Sequence, residues 1–150
     1  MGTLYQVNST TGMLTVANKI ALTPEGGIAV LLDNNTGSII PKGTVCEVGT
    51  SDESVRPIDV DDVYPIGVAY EAIPIGAKGW IVFNGRAQVL VDAAAVPVRN
   101  NWLGTSGTTA GRARVEVGDP GATVLHSREI GHTLGAKDGG NLVWAMIHFN

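Results

Sequence analysis

The sequence predicts an all-β or mainly β fold, a compact barrel or sandwich with at most one or two short helices, on three observations. First, its 20 glycines and 7 prolines are spread along the 150 residues instead of pooling in linkers. The longest intervals free of both, 13–23 and 86–96, are eleven residues each. Glycine costs a helix interior about 1 kcal/mol and proline about 3 kcal/mol, so long helices are nearly excluded. Second, Val, Ile and Thr contribute 18, 11 and 13 residues, and these β-branched types suit a pleated sheet. Third, short apolar runs alternate with turn residues at the spacing of a barrel or sandwich.

Residues 1–27 stand apart. They are rich in Thr, Asn, Ser and Gly, and their apolar residues show no sustained period. They read as an N-terminal arm or an added edge strand, with 13–16 the part most able to pair; the β-rich domain proper then spans 28–150. Ile28-Ala29-Val30-Leu31-Leu32 is a buried strand closed by the turn residues 33–37, and Thr44-Val45-Cys46-Glu47-Val48 is a second. Residues 50–62 carry Asp52, Glu53, Asp59, Asp61 and Asp62 and read as a solvated loop with a short edge strand near Val55. Strands are predicted at 66–70, 80–83 and 86–91. Asn84-Gly85 supplies the strongest hairpin signal, because both residues tolerate positive φ. Asp92 is placed to cap one helical turn over 93–95, which Pro97 would stop. Arg112–Val117 alternates cleanly between faces. In the last run, Val143, Ala145, Ile147 and Phe149 oppose Trp144, Met146 and His148. A strand apolar on both faces belongs in the centre of a sheet or at a subunit interface.

A chain with 10 Lys+Arg against 14 Asp+Glu and no basic run is poorly suited to phosphate backbones, so no nucleic-acid partner is expected. No apolar run approaches the roughly 20 residues of a membrane span, and the opening Met1–Gln6 lacks a signal peptide's basic and apolar regions. Cys46 is the sole cysteine, which permits neither an internal disulfide nor a cysteine zinc site and reads as a small buried hydrophobe.

No motif assembles a catalytic set. A metal reading of His126, Glu129 and His132 fails on local spacing. Gly131 breaks the helix that would align them, and on one strand the two histidines would stand about 20 Å apart, at about 3.3 Å per residue. They are read instead as structural or interface hydrogen-bonding groups. Gly104–Thr108 places its glycine too early for a nucleophile elbow and reads as a polar turn. Asp59, Asp61 and Asp62 lack the spacing of an EF-hand and leave open only a loose surface Ca²⁺ site. Asn8-Ser9-Thr10 and Asn34-Asn35-Thr36 match glycosylation sequons, read as incidental. Enzymatic activity, cofactors, resident metals and a small-molecule substrate are therefore not expected.

Particular strings then carry a resemblance. Asn35-Thr36-Gly37, Lys42–Val45 and Pro65–Glu71 are followed by Gly85-Arg86-Ala87 with Val89-Leu90, Asn101-Trp102 and Ala110–Ala113. His126–His132 and His148-Phe149-Asn150 close the series. In this order they resemble the decoration (cement, head-stabilising) proteins of tailed-bacteriophage capsids, over about residues 28–150. The resemblance implies a β-tulip-like module, made in the host bacterial cytoplasm. It would trimerise on the outer capsid surface of the virion and stabilise the major capsid protein lattice. It also gives the arm a role: Leu4, Tyr5, Val7, Met13, Leu14 and Val16 would bind the capsid by strand addition. The partners so implied are copies of the chain itself, as a homotrimer, and the major capsid protein.

Independently, the doubly apolar C-terminal strand favours burial against symmetry mates. Trp102, His126, Arg128, His132, Trp144, Met146, His148 and Phe149 are the expected interface residues. Two rivals remain: a fibre or tail-associated module recognising a host glycan or receptor through exposed aromatics, and a trimeric β enzyme such as a nucleotide hydrolase, for which the sequence offers no acid–base set.

Overall fold

The computed structural model describes residues 5–16, 19–116 and 126–149. The described residues form twelve strands and one 3-10 turn. In chain order these are β1 (Tyr5–Val7), β2 (Leu14–Val16), β3 (Ile20–Leu22), β4 (Gly27–Asn34), β5 (Val45–Val48) and β6 (Ser54–Pro57). There follow β7 (Gly67–Ala69), β8 (Lys78–Leu90), β9 (Trp102–Thr105) and β10 (Ala113–Glu116). The turn, His126–Arg128, leads into β11 (Glu129–Thr133), and β12 (Leu142–His148) ends the series. The all-β prediction holds.

The pairing closes on itself. β4, β6, β5, β7 and β8 are neighbours in that order, and β8 pairs back onto β4, which makes a five-stranded ring. Beyond it, β8 continues into β12, β11, β9 and β10. A parallel bridge between Ala113 and Val91, just past β8, returns β10 to its start, so this group closes too. β8 is the wall common to both rings.

Alternation sorts the core. Cys46, Val55, Ala69 and Ile81, one from each of β5 to β8, join Ile40 and Ile73 in one buried cluster. Val45, Val68 and Val82, their chain neighbours, belong to the larger cluster with Val89, Leu103, Ile130, Val143, Ala145 and Ile147. Cys46 is wholly buried, as expected of a small hydrophobe, and burial pushes its thiol up to about 12.

Three local expectations are corrected. Asn84-Gly85 is not a hairpin but the middle of β8. Gly85 (φ +89°) faces Gly27 on one side and Ile147 on the other, and a Cβ there would strike the Gly26 carbonyl oxygen. Glycine serves here a close backbone approach beside the β4–β8 bulge, the other use of this residue in a strand. The strand around Val55 is internal, held between β4 and β5, with Val55 fully buried. No helix forms after Asp92. The Ala95 amide closes a turn onto the Asp92 carbonyl, and the Asp92 carboxylate accepts the Ser106 hydroxyl at 2.9 Å.

Candidate functional site

Two surfaces gather the residues that the sequence singled out. The first is the N-terminal meander. β1, β2 and β3 pair antiparallel in series, and β3 pairs with β4. Register aligns Val7, Leu14, Leu22 and Ile28 in one cross-strand row, and Val16, Ile20 and Val30 in the next. Because side chains alternate along strands, these share a face. Its β1–β3 part is left open to solvent, with Val7 64% exposed, Ile20 46%, Leu22 42% and Val16 40%, while Val30 on β4 packs against the core. Asn8 shapes the β1–β2 turn, its Oδ1 accepting the Thr10 and Thr11 amides at 2.9 and 3.0 Å.

Of the expected arm residues, Val7, Leu14 and Val16 lie on this face. Met13 does not: it is 1% exposed and packs in the main core. Leu4 and the Tyr5 side chain fall outside the described residues. Ile20 and Leu22 belong to the face but were not singled out, although their two-residue alternation was there to be read.

The second surface is the outer face of β9, β11, β12 and the end of β8. In β11, Glu129 stands opposite Gly104 and Gly131 opposite Leu103, so Ile130 is an extra, bulged residue. The bulge turns both Glu129 and His132 to the face that carries Trp102, while Ile130 points into the core. Trp102 and His132 pack with ring centroids 4.0 Å apart, and the His132 and His148 rings are 5.3 Å apart. Nε2 of His148 lies 3.3 Å from Nδ1 of His132 and 3.2 Å from Oε1 of Glu129, whose carboxylate is buried. Next along the same face, Arg86 stacks on Trp144, its Cζ 4.4 Å from the ring centroid, and Met146 is 45% exposed.

Trp102, His132, Trp144, Met146 and His148 are thus brought together as an aromatic and histidine face. Phe149 packs against the core instead, and Arg128 pairs with Asp61 at 2.8 Å. His126 belongs to the 3-10 turn, so it does not share one strand with His132; its side chain lies outside the described residues. The set weighed and set aside in the sequence, His126 with Glu129 and His132, lacked His148, which stands nineteen residues from Glu129 on β12.

Two acids of the 50–62 loop, Asp59 and Asp61, pair with arginine. Arg56 reaches Asp59 at 3.3 Å and Glu47 at 2.7 Å, and Asp61 receives both Arg128 and, at 3.6 Å, Arg114. Asp59 and Asp61, two of the three carboxylates of the loose Ca²⁺ reading, are held in these ion pairs. Asn34 is wholly buried, so the second sequon is closed in the folded chain. Its Nδ2 donates to the carbonyls of Ser38 and Ile73, and its Oδ1 accepts from Thr36. Among the described residues, no helix is long and apolar enough to cross a membrane.

No protein-family model matches the chain. No curated protein matches it either. Among solved structures it is similar to the N base of head fiber gp8.5 of bacteriophage phi29, with a TM-score of 0.51 at 17% identity. The match covers 79% of this chain and 93% of that one. At this identity the likeness is one of fold.

Proposed function

We propose that the chain is a non-enzymatic structural protein of a tailed-phage virion. It sits as a homotrimer on the outer surface of the head and stabilises the major capsid protein lattice. The observation that carries this reading is the fold likeness to a phage head protein across nearly all of that protein's base. Two surfaces support it. The open apolar face of β1 to β3 has the character of an interaction patch, since soluble monomers rarely leave such a contiguous apolar face uncovered. β1 also ends the strand order, so its outer edge can accept a strand from the shell by main-chain pairing. The face carrying Trp102, Trp144 and Met146 is composed like an interface centre, where aromatic residues, Met and Arg are enriched, and we assign it to contacts between copies.

Deleting the first fifteen residues would remove Met13 from the core, so surface substitutions give the cleaner test. Purified protein is mixed with expanded heads, and binding is read by co-sedimentation and by threefold protrusions in electron micrographs. Val16→Glu with Leu22→Lys is expected to leave the fold and oligomer intact and abolish head binding. Undiminished binding by this variant would overturn the role of the face, and a wild-type monomer that ignores heads would overturn the whole reading.

A second reading, the base of a fibre that recognises a host glycan or receptor, is favoured by the neighbour being a head fiber base. It predicts glycan-array hits that depend on exposed aromatics such as Trp102, and no effect on head stability.

A further inference from the structure

We propose that Glu129, His132 and His148 form a divalent-cation site of the zinc type. One ligand atom from each lies within 4.8 Å of the other two. The two separations around His148 Nε2 are 3.3 Å to His132 Nδ1 and 3.2 Å to Glu129 Oε1. Metal–ligand bonds of about 2.0–2.1 Å at the tetrahedral angle put neighbouring ligand atoms about 3.3 Å apart, so both observed edges match a zinc coordination tetrahedron.

A single Nε2–H on His148 can point at the carboxylate or at His132, not squarely at both. A cation at the centre takes the lone pairs of all three. Two imidazoles and one carboxylate also make a donor set suited to zinc. The surroundings hold the ligands in place. Glu129 and His132 are fixed on one face by the Ile130 bulge, and the Trp102 ring packs against His132. Glu129 is buried and His148 only partly so, which leaves the fourth position on the outer side of the sheet, open to water in the single chain and facing the contacts between copies in the oligomer. A bound ion would tie β11 to the last residues of β12. All three ligands come from one chain, so the site does not require the virion reading, although it lies on the face which that reading assigns to contacts between copies.

The test uses untagged, chelator-treated full-length protein. Calorimetry is expected to show one Zn²⁺ per chain. His132→Ala and His148→Gln are each expected to weaken uptake at least tenfold while keeping the wild-type circular dichroism. Co²⁺ is expected to give the intense visible bands of a four-coordinate site in the wild type, and to quench part of the tryptophan emission in a way that Trp102→Phe removes. Absence of stoichiometric Zn²⁺ uptake by the wild type, uptake that survives both histidine substitutions, or octahedral Co²⁺ bands would overturn the site. The Co²⁺ spectrum decides the matter in the unmodified chain should either variant fail to fold.

Discussion

Gly131 packs directly beneath the Met146 carbonyl, at a φ of +148° that only glycine adopts readily, and a Cβ at this position would collide with that oxygen. The β-bulge of β11 therefore depends on one residue. Gly131→Ala is expected to lower stability by about 2–4 kcal/mol, the scale of a backbone clash at a special conformation. Chemical denaturation measures the loss. Gly135→Ala, where a Cβ meets nothing within 4 Å, is the control and is expected to be nearly neutral.

Asn34 saturates its amide in the interior, donating to two carbonyls at 2.9 Å and accepting from the Thr36 amide and hydroxyl at 3.0 and 2.7 Å. Truncation to Ala removes these four bonds at about 0.5–1.5 kcal/mol net each, while the Ile73 carbonyl keeps the Ile40 amide and the Ser38 carbonyl keeps the Thr36 hydroxyl. Asn34→Ala is expected to cost about 2–4 kcal/mol. Asn35→Ala, which removes only an exposed bond to Ser51, is expected to cost under about 1 kcal/mol.

Cys46 lies wholly inside the five-stranded ring, with its thiol pushed up to about 12 by burial. The thiolate is the reactive form. An aromatic disulfide reagent at pH 8 is expected to label the native chain only as fast as it unfolds, and to label it at once in denaturant. Rapid stoichiometric labelling of the folded protein would contradict the burial.

Glu47 has its carboxyl raised above the ordinary glutamate value, chiefly by burial, against the pull of Arg56 2.7 Å away. A group raised on folding stabilises fully below its unfolded value, and that contribution is lost as pH rises through the folded one. Wild-type stability relative to Glu47→Gln is therefore expected to fall as pH rises above the ordinary glutamate value of about 4. Arg56→Met is expected to steepen the fall, because the buried carboxylate then ionises without its cation. Denaturation midpoints across this range measure both slopes.

The legible parts of this fold were those written in local pattern. The runs at 28–32, 44–48 and 142–149 appear as β4, β5 and β12 because β-branched residues and alternation act within one strand. Asn84-Gly85 misled because a glycine that tolerates positive φ serves a hairpin turn and a close approach in mid-strand equally well. Ring closure between β4 and β8 joins residues about fifty positions apart and leaves no local mark. The same holds for the His132–His148 contact. His132 was singled out, but its ligand-like geometry needs a bulge at Ile130 and a partner on another strand. The apolar face of the meander stood in plain alternation at Ile20 and Leu22, yet only the register with β2 and β4 shows that it is continuous.

Sharing β8 between two closed rings has a mechanical consequence. A pull applied to opposite ends of this strand loads its ladders to β4 and β12 in shear, so many hydrogen bonds must yield together instead of unzipping singly. Neither ring can open along β8 without breaking the other's wall. Its central amides are thus tied to global opening and belong among the slowest in the chain to exchange with solvent.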